Sequence, residues 1–258
     1  MGQNPERRPA LLDPYAGEGL VAALVERLLP ERPCTDYGAA GGVPARREGA
    51  EETVETTEGT RDGIRWLADW DGWYVGLTFA RGVPPGELAL RLGAVPGVRP
   101  GPLGARDAWS LAGETMDGDG VARVGSWAGW SFAVEHGLPA GAERLAEVSR
   151  SGAEAVHLDP QPDHPPRQFA YARDGEVVCC FGLGEECWRG GRQPDFLLPE
   201  LVAAGLLEPD GTHAGPEDEP GAERDRRTLA VLEHRFALSL PRRLIEETPL
   251  PAFVTCTR

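Results

Sequence analysis

The segment "QFAYARDGEVVCCFGL", residues 168–183, carries the strongest local folding signal in the chain. Two runs of β-forming residues flank Asp174-Gly175, and Asp-Gly is a dipeptide favoured in the two-residue type I′ turns of β-hairpins. The segment therefore predicts a hairpin. Because helical patterns lie on both sides of the strand-forming region, we expect an α+β fold, with a mainly antiparallel sheet, a central β-hairpin and flanking helices.

Tryptophans concentrate in two segments, "WLADWDGWYVGLTF" at 66–79 and "WAGWSFAV" at 127–134. From Trp73 and from Trp130 onward, every second residue is apolar, which is the period of a strand with one buried face. Each strand pattern leads into a Gly-aliphatic-Pro turn and then into a helical pattern. The two segments therefore indicate a partial internal duplication of a strand-turn-helix unit.

The amino-terminal part of the chain has a different character. Apolar residues repeat at helical spacing over 20–29, whereas residues 38–63 are rich in Gly, Glu and Thr and have little apolar surface to bury. We expect an amino-terminal helical segment at 1–37, a flexible acidic linker at 38–63, and a single α+β domain at 64–258 with a polar loop at 208–227. Inside this domain the same periodicities predict helices at 63–72, 86–94, 194–207, 223–238 and 242–247, and a strand at 153–159.

The charge balance is strongly acidic, with 41 acidic against 26 basic residues and a formal net charge of −15. Nucleic-acid binding relies on Lys and Arg to displace counterions from phosphates, so we expect no direct nucleic-acid binding and favour a partner protein with a basic surface. A DNA mimic that binds a DNA-binding protein is an open alternative. All the basic residues are arginines, which excludes mechanisms that need a lysine amine, such as a Schiff base or a P-loop.

Cysteine content and hydropathy bear on location. Five cysteines, an odd number, do not suggest a secreted disulfide framework. The start "MGQNPERRPA" has no apolar stretch of the signal-peptide type, and Glu26 and Arg27 interrupt the longest apolar run. We therefore expect a cytoplasmic protein without a membrane span.

The aromatic residues are the candidate surface for a ligand or partner. Tryptophan faces attract cations, so an exposed group of them could form a cage for a cationic or planar ligand. The alternative is that Trp73 and Trp130 occupy matching inward positions of two strands and fill the core. The candidate residues are Trp66, Trp70, Trp73, Trp127, Trp130, Tyr171 and Trp188.

Cysteines and paired carboxylates do not form a recognisable site. Cys179 and Cys180 are neighbours on a predicted strand, so their side chains face opposite sides and cannot share a metal ion without a bulge. We interpret both, together with Cys187, as small buried hydrophobes. Adjacent carboxylates such as Glu185-Glu186 diverge in direction and are interpreted as solvated charge.

The histidines and the sequence motifs do not indicate a metal site or a catalytic site either. The stretch "HLDPQPDHPP" at 157–166 contains metal-competent side chains, but its prolines predict a rigid surface loop with solvated turn residues. No G-x-S-x-G or phosphate-loop motif is present, so we predict no catalytic residue, no cofactor and no metal. The metal-competent residues are His157, Asp159, Asp163 and His164, and the other histidines, His136, His213 and His234, are interpreted as surface or helix-face residues.

The region around the hairpin resembles an uncharacterised family that is common in actinobacteria and catalogued only as a domain of unknown function. Its pattern is a Tyr-Ala-x-Asp-Gly hairpin, then a Phe, a short Arg/Trp-Gly element, and a Pro-Asp-x-Leu sequence that opens a helix ending in Gly-Leu. The resemblance covers 64–206 and implies no activity, cofactor or catalytic residue. The matching positions are Tyr171-Ala172, Asp174-Gly175, Phe181, Trp188-Arg189-Gly190, Pro194-Asp195, Leu197 and Gly205-Leu206.

Two functional hypotheses follow from these observations. The first is a non-enzymatic protein-binding module, an adaptor or immunity-like partner that acts through an acidic surface, because acidity steers association with basic surfaces and no catalytic motif is present. The alternative is a small-molecule sensor or an enzyme without a recognisable motif, whose aromatic pocket between sheet and helices is lined by Trp73, Trp130 and Tyr171.

Overall fold

The computed structural model describes residues 63–71, 73–95, 97, 101–114, 119–161, 165–215, 219 and 221–256. The amino-terminal helical segment and nearly all of the acidic linker that the sequence predicts lie outside these residues. Helices and one antiparallel sheet make up the described structure, so the predicted α+β class is confirmed.

Eight strands form the sheet in the order β2-β8-β3-β4-β1-β5-β6-β7, and all neighbouring strands are antiparallel. The predicted hairpin forms between β6 and β7, and positive φ angles at Asp174 (52°) and Gly175 (84°) fit the type I′ turn. It lies at one edge of the sheet and not at the centre, where β3 and β4 form another hairpin. The strands are β1 (Gly76–Arg81), β2 (Gly101–Leu103), β3 (Asp119–Trp127), β4 (Trp130–Gly137), β5 (Glu154–Asp159), β6 (Gln168–Arg173), β7 (Glu176–Gly182) and β8 (Leu250–Cys256).

Alternation along the strands separates the two faces of the sheet. Leu77 and Phe79 of β1 pair with Val134 and Phe132 of β4, and all four side chains lie in the larger core. Ala80, on the opposite face, belongs to a second core made largely of small residues. Both faces are therefore covered, as the buried strand patterns require.

Helices pack on both faces. Helices α1 and α3 cover the face with the small residues, and α4 and α5 contribute leucines to the larger core on the other face. Proline and glycine residues explain where two of these helices begin or end. The ring of Pro85 fixes φ near the helical value at the start of α1, and Gly205, with φ of +67°, follows the turn that ends α4. The helices are α1 (Pro85–Arg91), α2 (Ala105–Glu114), α3 (Gly141–Val148), α4 (Leu198–Ala203), α5 (Gly221–Phe236) and α6 (Arg242–Glu246), with 3₁₀ helices at Arg65–Asp69 and Pro194–Leu197.

The two predicted strand-turn-helix units have the same order in the structure. Strand β1 leads through Gly82 into α1, and β4 leads through Gly137 into α3, and both glycines have positive φ angles, +82° and +80°. Leu77 and Phe79 thus correspond in role to the inward residues of β4. This similarity does not establish a common origin, and the internal duplication stays a prediction.

Three elements were not predicted: β2, α2 and β8. Strand β8 lies between β2 and β3, although Pro251 within it argues against an internal strand position. Its register partner is Pro102 of β2, a strand of three residues at the sheet edge, so few ladder hydrogen bonds are lost there. The predicted polar loop at 208–227 is also shorter than expected, because α5 already begins at Gly221.

Candidate functional site

The structure does not bring the candidate aromatic residues together into one cage. Trp73 and Trp130 are buried in the larger core, with 3% and 2% of their surface exposed, as the core alternative predicts. Their indole N–H groups donate to backbone carbonyls, from Trp73 to Val75 at 3.1 Å and from Trp130 to Phe236 at 3.2 Å. Neither indole presents an open face for a ligand.

Each of these two rings already carries a cation from the same chain. The guanidinium of Arg167 lies 4.9 Å from the ring centroid of Trp73, and that of Arg81 lies 4.3 Å from the ring centroid of Trp130. These distances are within the range of cation–π attraction. The aromatic faces that a cationic ligand would need are therefore covered internally.

Trp66, on the first 3₁₀ helix, and Trp70, directly after it, form a separate pair. Their ring centroids are 5.3 Å apart, and the guanidinium of Arg242 lies 5.9 Å from one ring and 6.0 Å from the other. The indole N–H of Trp66 donates to the carbonyls of Gly63 and Leu240 at 3.1 and 3.0 Å. This pair anchors the start of the described chain against the segment between α5 and α6.

Trp127 and Tyr171 also serve the packing of the fold. Trp127 is half-buried, and its indole N–H donates to the hydroxyl of Ser239 at 3.2 Å. Tyr171 is 3% exposed and lies in the larger core, with its hydroxyl 3.3 Å from Oε1 of Glu154. The sensor alternative needs Trp73, Trp130 and Tyr171 to line an open pocket, and all three are buried.

Trp188 is different, because 61% of its surface is exposed. It lies on the loop that follows β7, where its backbone N–H donates to the carbonyl of Glu185 at 2.9 Å and closes a turn. A large aromatic side chain is thus held in water at a defined position of the backbone.

A buried carboxylate fixes this loop to α5. Glu186 is fully buried and accepts hydrogen bonds from the guanidinium of Arg224 at 2.9 and 3.1 Å, from the hydroxyl of Thr228 at 2.5 Å, and from the N–H of Gly184 at 2.8 Å. A buried ion pair with this many hydrogen bonds is well defined in geometry. The interpretation of Glu186 as solvated charge is therefore wrong, because Arg224 and Thr228, far along the sequence, provide its partners.

On its other side, the loop is held by Arg189 and by the sheet edge. The guanidinium of Arg189 binds Oδ1 of Asp195 at 2.6 Å and the carbonyl of Gly211 at 3.1 Å. The following residues run along the outer edge of β7, where Cys180 and Gly190 exchange backbone hydrogen bonds. This contact covers the edge of the sheet, which would otherwise be open for pairing with another chain.

The surroundings of Trp188 are acidic. Glu185 is exposed on the same loop, and Asp195 is exposed on the 3₁₀ helix that follows it. Arg189 donates to the carbonyl of Gly211, which belongs to the turn that carries exposed Glu208 and Asp210. Hydrogen bonds from Thr212 hold the pKa of Asp210 below its usual value, so this carboxylate stays charged at neutral pH. We refer to Glu185, Trp188, Asp195, Glu208 and Asp210 as the Trp188 surface.

A second polar cluster lies beneath the amino-terminal end of α3. The hydroxyl of Thr78 donates to Oε1 of Glu135 at 2.6 Å and lies 2.8 Å from Nδ1 of His157, while Oε2 of Glu135 accepts from the N–H groups of Ala140 and Gly141 at 2.7 and 2.9 Å. A hydroxyl, an imidazole and a carboxylate are the groups of acid–base catalysis. Here all three are buried, and the carboxylate satisfies the first N–H groups of the helix, so the cluster anchors α3 to the sheet.

The metal-competent residues that the sequence assigned to a surface loop lie elsewhere. His157 and Asp159 are buried in β5, because the strand continues to Asp159. Asp163 and His164 lie outside the described residues.

Cys179 and Cys180 are both buried, as interpreted from the sequence. Burial raises the pKa of the Cys179 thiol to about 12, which keeps it protonated and unreactive. Within the described residues no three His, Cys, Asp or Glu side chains are grouped so that they could hold a metal ion.

His136 is also buried, although the sequence suggested a surface position. Its Nε2 accepts a hydrogen bond from Nε of Arg123 at 2.9 Å, and its ring meets the edge of the Trp109 ring at a centroid distance of 5.2 Å. Arg123 in turn donates to the carbonyls of Ile245 and Thr248. The pair therefore joins β3 and β4 to the segment before β8.

Fold and sites together describe an α+β protein with an antiparallel sheet and an exposed tryptophan, Trp188, on a fixed loop. Residues 57–250 match the model of the Family of unknown function (DUF6461), and the chain belongs to this family. The match extends beyond the 64–206 of the predicted resemblance. No curated protein and no solved structure matches the chain. In the part of the chain that the structure describes, no helix has the length and apolar character needed to cross a membrane.

Proposed function

We propose that the protein is a non-enzymatic protein-binding module, an adaptor or immunity-like partner, that docks through the Trp188 surface. The supporting observation is that Trp188 is 61% exposed on a loop fixed by the buried Glu186–Arg224 pair. Tryptophan is enriched among the residues that dominate binding energy at interfaces. Because the loop is already ordered, little additional conformational entropy is lost when a partner covers the indole.

The charge of the surface supports a partner with a basic face. Glu185, Glu208 and Asp210 are exposed, and no ion pair engages them among the described residues. The local cations are already paired, Arg189 with Asp195 and Arg192 with Glu176. Together with the net charge of −15, this arrangement would accelerate encounter with a basic protein and would weaken as salt increases.

The proposal includes a cytoplasmic location and an actinobacterial source. Buried free thiols at Cys179 and Cys180 fit a reducing compartment. A chain whose 26 basic residues are all arginine, with 34 glycines and 24 prolines, fits a genome rich in G and C.

The experiment is affinity capture from a lysate of the source organism, followed by binding measurements with the purified captured protein. We would compare the wild type, Trp188→Ala and the control Leu90→Ala, which removes another exposed apolar side chain on α1. We expect the control to bind like the wild type and Trp188→Ala to lose about tenfold or more in affinity, the loss typical of a central interface aromatic.

Charge reversal gives an independent check. Glu185→Arg should weaken binding mainly through a lower association rate, and the loss should shrink at high salt. If no partner is retained even at low salt, or if Trp188→Ala binds as tightly as the wild type, the proposed function is refuted.

A further inference from the structure

We propose that the partner of the Trp188 surface presents an arginine whose guanidinium stacks on the indole of Trp188 and pairs with the neighbouring carboxylates. This inference rests on the proposed docking function and adds the chemical feature that the surface recognises. It commits to a basic protein segment as the occupant, because an acidic surface repels the phosphates of a nucleic acid.

The first argument is that arginines of this chain lie over four of its six other tryptophans. Arg81 covers Trp130, Arg167 covers Trp73, and Arg242 covers Trp66 and Trp70, at ring-centroid distances from 4.3 to 6.0 Å. An indole face is the most favourable of the aromatic faces for a cation. Among the described residues, no cation of the chain lies over the ring of Trp188.

The cations nearest to Trp188 in sequence are not available to cover it. The side chain of Arg189 is only 11% exposed and is bound to Asp195 and to the carbonyl of Gly211. Arg192 pairs with Glu176. In the part of the chain that the structure describes, neither of these arginines is therefore free to cover the indole of Trp188, which leaves this position to an arginine of the partner.

The carboxylates of the Trp188 surface favour arginine over lysine. Both contacts of Arg189 with Asp195 go to Oδ1, which leaves Oδ2 for a further donor, and Asp195 is 66% exposed. Glu185 is exposed one turn before Trp188. A guanidinium can stack on an indole with its plane and donate to carboxylates from its edge, whereas an ammonium is a strongly hydrated point charge.

The experiment uses two peptides of equal charge, hexa-arginine and hexa-lysine, as probes of the full-length protein. The affinity of each peptide for each protein is measured by isothermal titration calorimetry. In the wild type, the indole N–H signal of Trp188 in two-dimensional nitrogen–proton spectra, assigned by its loss in Trp188→Phe, shows whether the peptide contacts the indole. We expect hexa-arginine to bind about two- to five-fold more tightly than hexa-lysine, because a guanidinium can stack on the indole and donate to carboxylates at once, whereas an ammonium stays hydrated.

Variants show whether the preference depends on the indole. Trp188→Ala should lower the affinity for hexa-arginine to that for hexa-lysine, Trp188→Phe should keep part of the preference, and Leu90→Ala should keep all of it. Equal affinity for the two peptides, no binding of either peptide, or a preference that survives Trp188→Ala would overturn the inference.

These outcomes are separable from those for the docking function. If the native partner is lost on Trp188→Ala but the peptides show no preference for arginine, docking holds and the arginine inference is refuted. If the partner binds Trp188→Ala normally, the docking function fails, whatever the peptides show.

Discussion

Buried His136 should make the stability of the protein depend on pH. Burial, and then the positive charge of Arg123, lower the pKa of His136 from 6.5 to about 3. Between these two values the unfolded chain binds a proton at this histidine and the folded protein does not. The contribution of His136 is therefore present in full above about pH 6.5 and is lost progressively as the pH falls towards about 3.

The magnitude follows from the pKa difference. Each pH unit between the two pKa values changes the free energy of unfolding by about 1.4 kcal/mol. A pH of 5 lies about 1.5 units below the pKa of the unfolded state. At this pH, the free energy of unfolding should be about 2 kcal/mol lower than at pH 7 because of His136. This is a large part of the stability of a typical domain, which is about 5–15 kcal/mol.

The test compares the wild type with His136→Gln, because a glutamine amide oxygen can still accept from Arg123 and does not titrate. Urea unfolding followed by circular dichroism at pH 7 and pH 5 gives the free energy of unfolding of each protein. We expect the variant to be less stable at pH 7, and the gap to the wild type to narrow by about 2 kcal/mol at pH 5. The control is Leu90→Ala, which changes an exposed side chain that does not titrate, so its gap to the wild type should not change with pH. A gap for His136→Gln that stays constant between the two pH values would refute the reasoning.

Three further changes test other parts of the fold. Gly141→Ala should destabilise the protein by about 1–3 kcal/mol, because the new Cβ would lie 2.3 Å from Nδ1 of His157. The melting temperature should fall, and an unchanged melting temperature would contradict this packing. Glu186→Gln should cost about 3–5 kcal/mol in urea unfolding, because it leaves the charge of Arg224 buried without its partner, and a loss below about 1 kcal/mol would show that the pair is not buried. Iodoacetamide at pH 8 should not alkylate Cys179 until urea is added, because burial raises the pKa of its thiol to about 12. Peptide mass spectrometry reads the modification, and rapid labelling in the native state would argue against burial of Cys179.

The parts of the fold that the sequence predicts well are those encoded by neighbouring residues. Asp174 and Gly175 alone determine the type I′ turn, and alternation places Leu77 and Phe79 inward with no knowledge of the rest of the chain. The edge position of the hairpin is not encoded locally, because it depends on which strands pair on the other side of β5.

The site residues that the sequence missed depend on contacts between distant segments. Glu186 resembles a solvated glutamate in sequence, and only α5, which brings Arg224 and Thr228, makes it a buried partner. The burial of His157 in the same way depends on β1 and β4, which provide Thr78 and Glu135. The spacing of residues within one segment carries no signal of these pairings. Of the predicted aromatic residues, Trp188 is the one whose side chain the structure leaves exposed to a partner.

The position of β8 has a consequence for the order in which the protein can be assembled during synthesis. This strand lies between β2 and β3, yet it is the last of the eight described strands to leave the ribosome. Until it emerges, β2 has no strand to pair with, and β3 presents a row of free backbone groups that invites association with neighbouring nascent chains. Strands β1, β4, β5, β6 and β7 can thus pair before synthesis ends. The sheet is complete only after the residues up to Cys256 have been translated.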